Sequence, residues 1–256
     1  MKPDQILLAI ETSGKSGSVA TVRVQDGKPV CQIEILSPDS GSAKTLAPAI
    51  ERLLHAQQMK MNCIAAIALP TGPGSFTGLR VGVATVKAMA YALKIPTIEV
   101  DTLDVIANQC PVASDSVHVV LDAYRGQVFC AEYTIQGYQA LTNVEKVRPT
   151  EILDIAVLLD RAKKYRDVNA ILDFCGPGCD RIRKFLETQE GAGANFLSRL
   201  TERVRWIDGP AVIPMADTVG RLGLVKFLAG DVLDPFAIQP RYYRASAAEE
   251  VAAKSK

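Results

Sequence analysis

Histidine is nearly absent from this chain: 256 residues contain only 2, His55 and His118. Metal centres built on paired histidines, and Ser-His-Asp or Cys-His nucleophiles, would have to be assembled around one of these two, so no catalytic or metal-ligating residue is assigned. The 6 cysteines, at 31, 63, 110, 130, 175 and 179, include no Cys-x-x-Cys pair. Cys175 and Cys179 flank a Gly-Pro-Gly turn, but no second pair completes a metal site, and buried thiols are the expectation. Net charge is also missing. Lys+Arg number 29 and Asp+Glu 28; the first 112 residues carry 10 basic and 9 acidic groups and the remainder 19 of each. No domain-wide basic field exists to attract nucleic acid, so RNA contact would be indirect or weak. The apolar run Gln5–Ile10 is too short for a signal segment or a membrane span and ends in Glu11, which leads us to expect a cytoplasmic protein with no membrane partner.

What is present reads as two related halves. An apolar run ending in Glu11 is followed by the small-residue turn Thr12-Ser13-Gly14-Lys15-Ser16-Gly17 and the β-branched run Ser18–Val24. Val117–Val120 likewise leads to an acid, in the Gly-containing segment Leu121-Asp122-Ala123-Tyr124-Arg125-Gly126, before a second run, Val128–Ile135. Later in each half, a short apolar run (Ile64–Leu69; Ala170–Phe174) leads into Gly-Pro-Gly (72–74; 176–178) and a helical pattern. The shared order of these elements indicates duplication. The two lobes are assigned to 1–112 and 113–256, with Pro96 and Pro111 bracketing the boundary. Helices are predicted over a segment ending near Met59, with Thr45 as cap and Pro48 in the first turn, over Thr77–Leu93, over Asp180–Leu186 and over Thr218–Leu228. The last of these, at about 214–230, is expected to pack back on the first lobe. Asn143–Ile152, Gly191–Gly193 and Asp208–Pro210 read as loops. Strands alternating with helices give an α/β class with two mixed sheets.

Gly72-Pro73-Gly74-Ser75-Phe76-Thr77-Gly78-Leu79-Arg80, followed by Val81-Gly82-Val83-Ala84-Thr85, resembles the signature of the TsaB (YeaZ) family. Ile6–Val22 resembles that family's opening hairpin, Asp122–Phe129 its second hairpin, and Pro240–Arg244 its closing motif. The match is dense over the first half and patchy after Ile135. Two departures stand out: Ser42-Ala43-Lys44 where the family has His-Ser-Glu, and Pro70-Thr71 where an arginine precedes the Gly-Pro-Gly. The resemblance implies the duplicated fold of actin, sugar kinases and heat-shock ATPases. It also implies a non-catalytic role in forming threonylcarbamoyladenosine in tRNA, as a heterodimer with a TsaD-type catalytic paralogue alongside a TsaE-type ATPase. Without the partner, a homodimer is the other association to consider; a small-molecule kinase or ATPase of the same fold is the rival function.

Three features carry candidate chemistry. The Gly-Pro-Gly loop precedes a helix, where free amides and the helix dipole suit an anion. It lacks the Gly-Lys-Ser/Thr of a Walker loop, and a sharp turn capped by Ser75 or Thr77 is the plainer alternative. Thr12, Ser13, Gly14, Gly72, Gly74, Ser75 and Thr77 are accordingly the candidate phosphate contacts, with ATP or ADP considered as a ligand at the partner interface and no intrinsic cofactor. Glu11 and Asp122, at matching strand ends, would either serve magnesium and base roles or hydrogen-bond their own turns; the second is favoured. Third, Gly78, Gly82, Thr85, Ala88 and Ala92 form a small-residue ridge suited to a partner helix, flanked by Arg80, Lys87 and Tyr91. Packing of that ridge inside the chain is the alternative. The basic stretches at Arg161–Arg166 and Arg181–Lys184 read first as solvated faces.

Overall fold

The computed structural model describes residues 5–37, 42–137, 143–162, 172–188, 204–209 and 212–243. Its first sheet is built from β1 (Ile6–Glu11), β2 (Ser18–Gln25), β3 (Lys28–Ile35), β4 (Ile64–Gly72) and β5 (Thr97–Asp101), in the order β3-β2-β1-β4-β5. The second holds β6 (Ser114–Asp122), β7 (Gln127–Gln136), β8 (Asn143–Asp154), β9 (Leu172–Cys175) and β10 (Val204–Ile207), in the order β10-β9-β6-β7-β8. Read from the third strand of each half, the two orders are identical. In both, the first strand pairs antiparallel with the second and parallel with the fourth. The repeated hairpin and Gly-Pro-Gly order therefore reflects a repeated topology, the duplicated actin-like architecture.

The helices are α1 (Ser42–Ala56), α2 (Phe76–Leu93), α3 (Thr102–Gln109), α4 (Ile155–Ala162), α5 (Cys179–Glu187) and α6 (Ala216–Leu228). β1 is an unbroken apolar run because both of its faces are covered. Ile6, Leu8 and Ile10 join Leu46, Ile50, Leu53 and Val86 of α1 and α2, whereas Leu7 and Ala9 join Ala216, Val219 and Leu224 of α6. α6 sits close on the sheet because small residues meet there: a Cβ on Gly223 would lie 2.6 Å from the Ala68 Cβ, and one on Gly220 would overlap Val22. The last helix thus packs on the first sheet.

The lobes meet through α3. Leu103, Ile106, Ala107 and Cys110 share one buried cluster with Val117, Val119, Tyr133, Cys175 and Ile207 of the second sheet. At the rim, the Tyr133 hydroxyl donates to Asp104 Oδ1 (2.8 Å), Thr150 Oγ1 donates to Asp101 Oδ2 (3.0 Å), and Lys146 Nζ pairs with both aspartates at 2.7 and 3.1 Å.

Several expectations need correction. Asn143–Ile152 is a strand, not a loop. β8 lies at the sheet edge with few apolar residues and tolerates Pro149 where its register with β7 shifts, so pairing rather than propensity makes it. α1 begins at Ser42, which leaves Pro48 inside the helix rather than in its first turn. Pro48 faces solvent, where water can satisfy the carbonyl it leaves without a donor. His118 lies in the middle of β6. The sequence patterns also missed β3, β5, α3, α4 and β10. Gly191–Gly193, Pro210, Lys163, Lys164, Arg166 and Arg244 lie outside the described residues. Among the described residues no helix is long and apolar enough to cross a membrane.

Candidate functional site: the Gly-Pro-Gly corner and the outer face of α2

The chain leaves β1 at Glu11 and turns back within six residues. Glu11 is completely buried, and its Oε1 accepts hydrogen bonds from the Ser13 amide (2.6 Å), the Ser13 hydroxyl and the Gly14 amide (3.2 Å). Its Oε2 has no partner. Burial pushes the Glu11 carboxyl up from 4.5 to about 7, against the opposing pull of the Ser13 and Gly14 bonds. This acid holds its own turn in place.

The Gly-Pro-Gly loop closes directly onto that turn. A Cβ on Gly74 would stand 2.7 Å from Ser13, and the Ser75 amide donates to the Ser13 carbonyl at 2.8 Å. Ser75, rather than Thr77, is the N-cap of α2: its hydroxyl accepts from the Gly78 amide at 3.2 Å. Gly72 has φ +137°, open to glycine, and the Arg241 carbonyl lies 2.8 Å from where its Cβ would be. The structure therefore brings Thr12, Ser13, Gly14, Gly74 and Ser75 together, with Gly72 and Thr77 at the flanks. The amides of Ser13, Gly14, Ser75 and Gly78 are all engaged within the chain.

The ridge on α2 is not one surface. A Cβ on Gly78 would overlap the Thr12 carbonyl and one on Gly82 the Thr12 hydroxyl, which itself donates to the Gly78 carbonyl at 2.8 Å. Both glycines are buried and face inward, so the chain's own hairpin takes the place given to a partner helix. The correction follows from helix geometry. Gly78 and Gly82 lie one turn apart on the buried side, and the small residues drift around the helix until Ala88 and Ala92 emerge. Thr77, Ala84, Ala88, Tyr91 and Ala92 are exposed, with Tyr91 at 65%, and Thr85 is half-buried. Beside this stripe the C-terminal segment runs antiparallel to α2. Phe236 meets Tyr91 edge-on with ring centroids 5.2 Å apart, and its carbonyl accepts from Lys87 at 3.1 Å. Farther along, Tyr242 packs on Phe76 (4.8 Å) and accepts from Arg80 Nε at 2.9 Å. Arg80, though exposed, is therefore engaged by its own chain, its guanidinium 3.9 Å from the Phe76 ring centre. Tyr243 continues onto Phe129 of the second lobe at 5.7 Å. Composition gave no hint of this strap; only the closing Pro240–Arg244 motif pointed to it.

A structure of YeaZ from Pseudomonas aeruginosa superposes with a TM-score of 0.65 over 93% of this chain and 99% of that one, at 22% identity, so the two share a fold. Residues 39–165 match the family described as "TsaD: tRNA N6-adenosine threonylcarbamoyltransferase". The TsaB of Bacillus subtilis is 28% identical over 62% of this chain and 66% of its own length, and that of Escherichia coli 33% identical over 50% and 54%. Over these stretches the chain is similar to the TsaB family. These sequence matches span roughly half to two thirds of those two relatives, both named as tRNA threonylcarbamoyladenosine biosynthesis proteins. In this chain His55 lies on α1 and His118 on β6, and the described residues contain no group of three or more His, Cys, Asp or Glu placed to hold a metal.

Proposed function

We propose that this chain is a non-catalytic subunit in the formation of threonylcarbamoyladenosine in tRNA, binding and supporting a TsaD-type catalytic paralogue through the outer face of α2. The observation that carries this reading is the exposed stripe Thr77, Ala84, Ala88, Tyr91 and Ala92, which no helix or strand of the described chain covers and which Phe236 of the C-terminal segment meets at Tyr91. Its small side chains let a second helix approach at the near end of the usual ~8–10 Å, and Tyr91 supplies an aromatic anchor at the edge. The relatives' names supply the pathway, and the match to the TsaD family supplies the kind of partner, a paralogue of the same fold.

The filled hairpin turn supports the non-catalytic part. Four amides suited to a phosphate are spent on Glu11, Ser13 and Ser75, so a nucleotide at the interface would belong mainly to the partner. A TsaE-type ATPase and tRNA would be reached through the assembly, in the cytoplasm. The test is Ala88→Arg. The charge would abolish binding to the TsaD-type paralogue, measured by co-purification and calorimetry, because a desolvated unpaired charge is prohibitive at a helix–helix contact. The free chain should melt within a few degrees of wild type, since Ala88 is exposed. Retained binding by a folded Ala88→Arg variant would rule out this interface.

A further inference from the structure

The flank of α2 beside the C-terminal strap is basic and unneutralised. Over its 18 residues α2 carries two charged side chains, Arg80 and Lys87, and no aspartate or glutamate. Arg80 Nε donates to the Tyr242 hydroxyl at 2.9 Å, and its guanidinium stacks on Phe76. Lys87 Nζ donates to the Phe236 carbonyl at 3.1 Å. Both acceptors are neutral, and among the described residues neither cation forms an ion pair. Arg241 of the same strap is held by Glu99, and Arg52 and Arg205 likewise each hold a carboxylate.

The tethers fix where these two charges stand. A neutral acceptor orients each head without cancelling its field, and stacking on Phe76 restricts a side chain that is otherwise costly to order. Arg80 and Lys87 are close to two turns apart, about 10 Å along the axis, so both project from one flank of the helix. The exposed row they border, Thr77, Ala84 and Ala88, bears no charge of either sign. Exposed rings stand at both ends of this row, Phe76 with Tyr242 at one and Tyr91 with Phe236 at the other. The face thus offers apolar anchors with positive charge along one side.

We propose that the partner docking here presents a helix whose facing flank carries two carboxylates, about two turns apart, that pair with Arg80 and Lys87. This rests on the reading of the outer face of α2 as the site for a TsaD-type paralogue, and adds the chemistry by which that partner is steered and set in register. Carboxylates at the rim of a helix pair govern encounter and orientation more than affinity. A second copy of this chain is a poorer occupant. Antiparallel two-fold pairing of the face about its middle, near Ala84, sets Arg80 of one copy opposite Lys87 of the other, so like charges meet.

Association kinetics with the purified TsaD-type paralogue test this, at about 0.05 M salt, where screening is weak, and about 0.5 M, where it is strong. Lys87→Glu should slow association about tenfold at low salt, change dissociation little, and flatten the salt dependence shown by wild type. Arg80→Glu should act in the same direction; because it also removes the Tyr242 contact, Lys87→Glu decides the matter if Arg80→Glu melts early. Lys184→Glu makes the same change in net charge on exposed α5 and should stay within about twofold of wild type. Ala88→Arg separates this proposal from the reading beneath it. Binding lost in Ala88→Arg but unaffected by salt and by Lys87→Glu would keep the docking face and overturn the acidic flank. Binding retained by Ala88→Arg would overturn both. Equal slowing by Lys184→Glu would reduce the effect to net charge and overturn the pairing. Self-association of the free chain, lost in Ala88→Arg and seen in place of paralogue binding, would make a second copy the occupant and also overturn it.

Discussion

The two lobes share a topology but use the same corner differently. In the first, Glu11 is completely buried, ties down the Ser13 and Gly14 amides, and is roofed by a Gly-Pro-Gly loop that launches the eighteen-residue helix α2 from a Ser75 cap. In the second, the matching Asp122 has a side chain 37% exposed and accepts from the Tyr124 amide at 2.7 Å. Tyr124, Arg125 and Gly126 all take left-handed φ in that turn. The second Gly-Pro-Gly also closes on its hairpin strand, with the Gly178 amide donating to Val120 at 3.0 Å, but it launches only the nine-residue α5 without a side-chain cap. One corner is dry and supports a long helix with a free outer face. Its counterpart is wet and supports a short one. Duplication conserved the path of the chain, and side-chain burial then separated the roles.

The sharpest way to break this comparison is at Gly78. Gly78→Ala puts a methyl group into the Thr12 carbonyl, and overpacking backbone against backbone should cost about 3 kcal/mol. Urea unfolding would read it; a loss under about 0.5 kcal/mol would mean that the first corner is no tighter than an ordinary surface turn.

Next in size is the pH response of Glu11. The folded chain keeps this proton up to about pH 7, whereas the group's ordinary value is 4.5. Between those values the folded state binds more protons than the unfolded one. The contribution is therefore complete below about pH 4.5 and is lost as pH rises through about 7, by up to about 3 kcal/mol. Glu11→Gln should flatten that part of the stability-against-pH curve, and an unchanged slope would show that the buried carboxyl is not its source.

Smaller again, Ser75→Ala should cost about 1 kcal/mol by freeing the Gly78 amide, read as a lower urea midpoint at unchanged slope. No shift would remove the cap from the list of differences between α2 and α5. The smallest effect is expected in the wet corner. Arg181 stands 3.9 Å from Asp122 with its side chain 42% exposed, so Arg181→Ala should change stability by less than about 0.5 kcal/mol. A loss above about 1 kcal/mol would mean the second hairpin is anchored nearly as firmly as the first.

Much of this contrast was legible in the residues. The acid-ended strands, the paired Gly-Pro-Gly turns and the fully apolar β1 announced a repeated α/β unit, because a strand buried on both faces leaves no alternation to misread. Ala88, Tyr91 and Ala92 were singled out from the residues, whereas Thr77 and Ala84 were not placed in the stripe. The orientation of the ridge was not legible: small residues at helical spacing suit a partner helix or the chain's own hairpin equally, and only Thr12 packing against Gly78 and Gly82 decides between them. β8 was hidden for a similar reason, since an edge strand gains its stability from β7 rather than from its own composition.

The sequence by itself determined the duplicated α/β plan, the corner glycines, the scarcity of metal-ligating histidines and the family resemblance, because these depend on local chain geometry and residue chemistry. The tertiary structure decided which acid is buried, which side of α2 is free, that the C-terminal segment straps Phe76 and Arg80, and that α3 joins the two lobes. Each of these depends on contacts between residues far apart in the chain, and their energies come from burial and packing that no local pattern encodes.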